Sequence, residues 1–294
     1  MTYARNLLVL TFLDTYQGDI GMPVVSRALE SRWHQRKSVL NFMAAMENAV
    51  HAKSYSNIFM TYLKPEDISQ LFDWGETNPH LQQLLAYIVG YYEALDRLVY
   101  QRNYGSRERA PFAFDQALWQ AMTASVFLES CLFYSGFYYP LYFYGQGRLM
   151  QAGEIINLIL RDESIHGLYI GNLAQERYRQ FPPQLQTALY NWAVELLDRL
   201  YQEEAALAAE LYDPVGLSAD VQIFLRYNAN KALMNLGFDP LYPSEAVNPV
   251  VLNGLNTQTK TMDNFSMKGN GYQKIRSEAL QDEDFVFHRT RVSP

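Results

Sequence analysis

The stretch IINLILRDESIHG, residues 155–167, decides how this chain is read. It has the composition of a helix and sets Glu163 and His166 three positions apart inside an otherwise apolar run. Side chains at that spacing share one helix face. A carboxylate and an imidazole buried together are unfavourable unless something compensates them. Two compensations are available: a hydrogen bond between them, or a metal ion such as iron, manganese or zinc, for which oxygen and imidazole nitrogen are suitable donors. One isolated pair cannot choose between these, but the chain contains a second. Over residues 38–59, Leu40, Met43, Ala44, Glu47, Val50, His51 and Tyr55 fall near one another on a helical wheel. Glu47 and His51 share a face, and Tyr55 follows one turn later.

Outward from these two stretches the pattern is helical throughout. Residues 6–15 (NLLVLTFLDT) form a short apolar helix in which Asp14 is the single acid, either turned inward or simply near the helix end. Residues 18–23 contain two glycines and a proline and read as a break, after which helical period resumes over 32–63. Residues 64–73 are a connector helix opened by Pro65–Glu66–Asp67, and 79–100 a long helix. Residues 101–111 (QRNYGSRERAP) read as an exposed loop. An apolar helix over 112–144 carries Glu129, with a kink expected near Gly136 and Pro140. Gly145 to Gly147 turns the chain into the Glu163 helix, which runs to about Phe181; Pro182–Pro183 opens another to Leu211, and Ser218 caps a last one to Leu236. From Gly237 prolines, glycines and polar residues replace the period. The expected division is a helical domain over 1–240 and an irregular tail over 241–294. The acidic tail segment 281–287 (QDEDFVF) suits either unstructured chain or a docking peptide. No strand pattern is present, so the fold class is all-α.

Composition narrows the function. Hydrophobic residues make up 49% and aromatics 14% of the 294 residues, enough for a substantial core. A net charge of −7 argues against a nucleic-acid backbone as partner. The single cysteine, Cys131, allows no internal disulfide and fits a cytoplasmic location. No signal peptide or membrane span is evident; the richest run, 125–141, is broken by Glu129, Ser130, Ser135 and Gly136.

Asp14, Glu47 with His51, Glu129, and Glu163 with His166 therefore sit on four inward-facing helices. Helical bundles with a dimetal carboxylate site combine single acids from two helices with carboxylate–histidine units from two others. Charge balance explains the set: two divalent cations neutralise four carboxylates, and neutral histidines fill coordination positions. His34, His80 and His288, the remaining histidines, lie in polar or loop contexts. Tyr55, one turn beyond His51, would lie near such metals, where a phenol can be oxidised if water is excluded. Phe133, Phe137 and Ile159 are spaced to supply a dry wall, although in a chain with 22 tyrosines Tyr55 could equally be a packed aromatic.

The stretches LTFLDTYQG, MENAVHAKSYSNIF, VFLESCLFYSGF, LILRDESIHGLYIG and RYNANKALMNLG, followed by VNPVVLNGLNT and KGNGY, cover most of the chain. In their order and spacing they resemble the small, radical-generating subunit of class Ib ribonucleotide reductase, the NrdF type. The resemblance implies a ferritin-like helical bundle, a homodimer, and a dimanganese or diiron site, two ions per chain. That site oxidises a tyrosine to a radical, which a large catalytic subunit uses to make deoxyribonucleotides for DNA replication; a flavodoxin-like protein activates the manganese form. By motif, Asp14, Glu47, His51, Glu129, Glu163 and His166 would be metal ligands and Tyr55 the radical tyrosine in an apolar pocket of Phe133, Phe137 and Ile159. Asp162 would orient His51, Tyr272 in the tail would lie on the radical path, and residues 281–287 would dock on the large subunit.

Three departures from the family pattern set further expectations. The family shows Glu-x-x-His before its radical tyrosine, whereas this chain reads Glu47-Asn48-Ala49-Val50-His51. Alignment through Phe42 and Met46 selects Glu47, with the extra residue absorbed in a single-turn π-bulge; alignment from His51 would put Asn48 in the ligand's place. A family N-terminal segment ahead of LTFLDT, with a tryptophan on the radical path, has no counterpart here, and residues 94–121 are longer than usual, as is the end, HRTRVSP. The competing readings are a ferritin-like metal-storage protein, which needs neither Tyr55 nor the tail motifs, and a paralogue with a broken transfer route.

Overall fold

The computed structural model describes residues 1–105 and 112–255, and every regular element among those residues is helical. Helix α1 (Thr2–Tyr16) buries Leu7, Leu8, Val9, Leu10 and Leu13, consecutive or nearly so, and is therefore apolar on all sides. A helix of that kind belongs at the centre of a bundle. Against it pack α4 (Lys53–Met60), reached from α3 (His34–Met46) through a π-helical segment Glu47–Ala52, and α8 (Phe133–Gly145), reached from α7 (Ala113–Phe127) through a π segment Leu128–Leu132; α9 (Met150–Tyr178) lies on α7 and α8. Helices α5 (Pro65–Thr77), α6 (Pro79–Tyr104), α10 (Pro183–Tyr212) and α11 (Ser218–Asn235) complete the packing. No helix among the described residues is long and apolar enough to cross a membrane.

Residues 18–23 are not a break. A π segment Gln17–Gly21 carries α1 directly into α2 (Met22–Ala28), with Pro23 in the first turn of α2 where a missing N–H is tolerated. The glycines there serve close approach: a Cβ on Gly18 would lie 2.8 Å from the Ala44 carbonyl oxygen and 2.8 Å from Asn48 Nδ2. The chain leaves helix instead at Leu29, whose ψ is 150°. Residues 101–104, expected in a loop, extend α6 by a further turn, with Tyr100 and Tyr104 in ring contact at 5.2 Å; residues 106–111 lie outside the described part. Helix α8 runs through Gly136 and Pro140, and the departure from α geometry falls upstream, at Leu128–Leu132. Gly136 lets α8 close on α1, since a Cβ there would sit 2.7 Å from Leu10 Cγ.

The turn into α9 uses left-handed backbone at Gly147 (φ 72°) and Leu149 (φ 50°). Ser218 is the first residue of α11 and its hydroxyl donates to Asp213, so it does not cap the helix. Nor is α11 the last helix. The early part of the tail forms α12 (Pro249–Leu255), whose first turn is capped by Asn248 Oδ1 accepting from Val250 N at 2.9 Å. Asn157 Nδ2 donates to Gly254 O (2.9 Å) and Asn253 Nδ2 to Gly145 O (3.1 Å), which seats α12 on the bundle. Tyr272 and residues 281–287 lie outside the described residues.

One buried acid stands apart from the histidines. Glu204 on α10 is fully buried; Ser135 Oγ donates to its Oε1, and its Oε2 has no partner. Burial pushes its carboxyl from 4.5 up to about 7, against the opposing effect of the Ser135 hydrogen bond. Between those two values the folded protein keeps a proton that the unfolded chain releases, so stability falls as pH rises through the window and stays lower above it. Glu204→Gln is expected to remove this slope and to stabilise the protein at pH 8 by up to about 3 kcal/mol, with little effect at pH 4. Denaturant unfolding at both pH values measures it; an equal effect at the two would show that the carboxyl does not titrate there.

Candidate metal centre

Four helical stretches deliver the predicted acids and histidines to one place. Asp14 comes from the last turn of α1, Glu47 and His51 from the π segment after α3, Glu129 from the π segment after α7, and Glu163 and His166 from α9. The four acids and His51 are fully buried and His166 is 5% exposed. The π segment at Glu47–Ala52 takes up the extra residue of the Glu47–His51 spacing. It leaves Asn48 half-buried at the edge, where Nδ2 donates to Asp19 Oδ1 at 2.6 Å, away from the cluster.

The ligand-type atoms fall into two groups, Asp14, Glu47, His51 and Glu163 in the first and Glu47, Glu129, Glu163 and His166 in the second, with the atoms of each group within 4.8 Å of one another. Glu47 and Glu163 belong to both. Each sends one oxygen to either side: Glu47 Oε2 lies 3.2 Å from His51 Nδ1 and its Oε1 2.7 Å from His166 Nδ1. Glu163 Oε1 is 2.8 Å from His51 Nδ1 and its Oε2 3.1 Å from His166 Nδ1. This is the arrangement of two adjacent compartments bridged by two carboxylates. His51 Nε2 meets Asp162 Oδ2 at 3.2 Å, which fixes the ring with Nδ1 inward.

Hydrogen bonding within the protein does not satisfy this cluster. Both oxygens of Asp14, Glu47 Oε1, Glu129 Oε2 and Glu163 Oε1 are inaccessible and have no hydrogen-bond partner. The His51–Glu163 and His166–Glu47 contacts, at 2.8 and 2.7 Å, are ion-pair contacts. Burial, reinforced by the neighbouring carboxylates, holds Asp14 and Glu129 well above the usual carboxylate range. Burial would lower His51, but Asp162, Glu163 and Glu47 outweigh it and push the imidazole up to about 12; His166 is raised likewise by Glu129, Glu163 and Glu47. Burial would raise Glu163, and the two histidines instead bring it down to about 2. A set that holds protons this tightly while leaving buried oxygens orphaned has the donors and the charge for two divalent cations.

Tyr55, on α4, is fully buried with its hydroxyl beside the Asp14 carboxyl. Burial, then the charges of Asp14, Glu163 and Glu47, raises its phenol well above 10. Its ring lies 6.4 Å from that of Phe137, which packs 6.1 Å from Phe133. Both phenylalanines are fully buried, so this side of the Tyr55 ring is dry; Ile159 is buried as well, at 2% exposure.

Sequence reasoning missed the residues behind Glu129. Gln17 Nε2 donates to Glu129 Oε1 (2.6 Å), and Tyr92 Oη donates to Gln17 Oε1 (2.6 Å) and lies 2.9 Å from Ser125 Oγ. The signal for Gln17 was its place three residues after Asp14, obscured by reading 18–23 as a break. Nothing distinguished Tyr92 from the other tyrosines.

Residues 1–249 match the family model for the ribonucleotide reductase small chain. The chain is 56% identical over 286 residues to the ribonucleoside-diphosphate reductase subunit beta of Bacillus subtilis, covering 97% of this chain and 82% of that one. It is 38% identical to the ribonucleoside-diphosphate reductase 2 subunit beta of Escherichia coli, covering 95% and 81%. Among solved structures it is similar to the dimanganese(II)-NrdF of Streptococcus sanguinis, with a TM-score of 0.73 and 41% identity over 87% of this chain and 82% of that one.

Proposed function

The chain belongs to the ribonucleotide reductase small-chain family, and from that premise we infer that it is the radical-generating beta subunit of a ribonucleoside-diphosphate reductase. One observation carries this beyond the fold: two bridged carboxylate–histidine compartments stand beside a buried tyrosine whose hydroxyl is set against Asp14, a member of the first compartment. A metal-storage protein has no use for the second feature.

Asp14, Glu47, His51 and Glu163 would hold one ion and Glu47, Glu129, Glu163 and His166 the other, as two manganese or two iron ions. Bound metal supplies the oxidising power that protein side chains lack. The protein does the rest. Asp162 accepts from His51 Nε2 and so keeps the Nδ1 lone pair directed inward. Phe137, Phe133 and Ile159 exclude water around Tyr55, which protects an oxidised phenol from reductants. The Asp14 carboxylate, beside the Tyr55 hydroxyl, would be the base that takes its proton when the ring gives up an electron.

The partner is the large catalytic subunit, with which the tail would engage through residues 281–287 and Tyr272, and activation of the manganese form would come from a flavodoxin-like protein. The lone buried Cys131 suits the cytoplasm. Dimerisation has a suitable face. Arg36–Glu176 (2.6 Å) and His51–Asp162 (3.2 Å) run α3 and the π segment after it antiparallel to α9, and these stretches carry the exposed apolar residues Phe42 (67% exposed), Val50, Ile165 (63%) and Leu168. Large apolar side chains left exposed on helices tied to one another suit a protein interface. Phe42→Asp with Ile165→Asp is expected to convert the dimer to monomer in sedimentation; a dimer that persists would exclude this face. The function itself is tested by adding the metal-loaded chain to a class Ib large subunit and measuring ribonucleoside-diphosphate reduction. A metal-loaded chain that binds the large subunit yet supports no turnover would favour the transfer-deficient paralogue.

A further inference from the structure

The hydrogen bonds behind Glu129 have only one possible direction. A metal-binding carboxylate has no proton to give, so the group facing Glu129 Oε1 at 2.6 Å must be the Gln17 amide nitrogen. Gln17 Oε1 then faces Tyr92, whose hydroxyl donates to it at 2.6 Å and is left to accept from Ser125 Oγ at 2.9 Å. All three residues are fully buried, so no water competes for these bonds. The fold makes room for them deliberately: a Cβ on Gly21 would lie 2.4 Å from Gln17 Oε1 and 2.7 Å from the Tyr92 ring. The π segment that begins at Gln17 also places that side chain on the same side as Asp14. With Oε1 engaged, Glu129 has Oε2 left over, inaccessible and without a hydrogen bond, on the side of His166 Nδ1 at 3.7 Å.

We propose that Ser125, Tyr92 and Gln17 form a relay of fixed polarity that positions Glu129 as a ligand through Oε2 alone, and so tunes the second compartment without touching the first. Gln17 and Tyr92 are positioning residues; neither reaches the metals. The inference rests on the metal-centre reading above, and the relay is specific to the compartment that contains Glu129, since Asp14, His51 and the two shared acids make no hydrogen bond to it among the described contacts.

The test is titration of the full-length metal-free protein with manganese(II), following loss of the free-ion electron-spin signal. Gln17→Met keeps the side chain's length and removes the donor; it is expected to weaken the second ion about tenfold, the usual scale for losing an outer partner of a ligand, and to leave the first unchanged. Tyr92→Phe removes one oxygen, frees the Gln17 amide to turn over, and should weaken the same ion by less. In a Glu129→Ala background, which lacks the second compartment's own ligand, Gln17→Met should have no further effect on the remaining ion. Unfolding of the metal-free variants identifies any that fail to fold, and Tyr92→Phe carries the test if Gln17→Met does. Unchanged binding of both ions, equal weakening of both, or an undiminished effect in the Glu129→Ala background would overturn the relay. A wild-type chain that takes up no manganese would sink the metal centre itself, so the two failures are distinguishable.

Discussion

Glu163→Ala is expected to abolish binding of both metal ions, whereas Glu129→Ala should lose only one. Glu163 is shared by both compartments, with one oxygen directed toward each histidine, while Glu129 belongs to the second alone. Removing Glu163 takes one of four negative charges from a balanced set and withdraws a donor from both ions at once. Mutual compensation among buried charges makes the loss larger than a single contact suggests, because three carboxylates would leave two divalent cations with one positive charge unbalanced in an apolar interior. The surrounding core is apolar and unaltered, so the metal-free variant should still fold. Elemental analysis after loading and gel filtration decides the matter: roughly two ions per chain in the wild type, near one in Glu129→Ala and near none in Glu163→Ala. Full occupancy in both variants would falsify the bridged arrangement.

Tyr55→Phe should bind metal as the wild type does and yield no tyrosyl radical. The substitution removes one oxygen atom beside Asp14 and leaves the ring packing against Phe137 intact. Metal content and thermal stability should therefore hold. Phenylalanine lacks the ionisable hydroxyl whose loss of a proton accompanies oxidation, so the electron-spin signal expected after loading with manganese plus its activating partner, or with iron plus oxygen, should vanish. A wild-type protein that binds both ions through Glu47 and still shows no radical under either loading would count against the radical-generating function. An equal signal in Tyr55→Phe would assign the radical to another tyrosine.

The constellation was legible in the sequence because its pieces are local. Glu163 with His166, and Glu47 with His51, are one helical turn apart, and the apolar residues around them announce which face is buried. Asp14 and Glu129 could be added because each is the lone acid of an apolar run. The all-α class and most helix positions followed from the same periodicity. The errors fell where a residue type has two uses. Gly18 and Gly21 look like a turn in one dimension, yet they are the points where α3 and α6 come against the first π segment. Polar residues 101–104 look like loop and are compatible with an exposed helix end.

Other features had no local signature at all. That Glu47 rather than Asn48 enters the cluster depends on a π segment, which turns Glu47 toward Asp14 and Glu163 from two other helices. That Gln17, Tyr92 and Ser125 line up behind Glu129 depends on three helices distant in sequence converging within hydrogen-bonding distance. That Glu204 is sealed beside Ser135 depends on how α10 meets α8. The sequence by itself determined the all-α class and the two carboxylate–histidine pairs, since both follow from spacing along one helix. Only the tertiary structure decided which oxygen faces which histidine, because a carboxylate's two oxygens are chemically identical until packing gives them different neighbours.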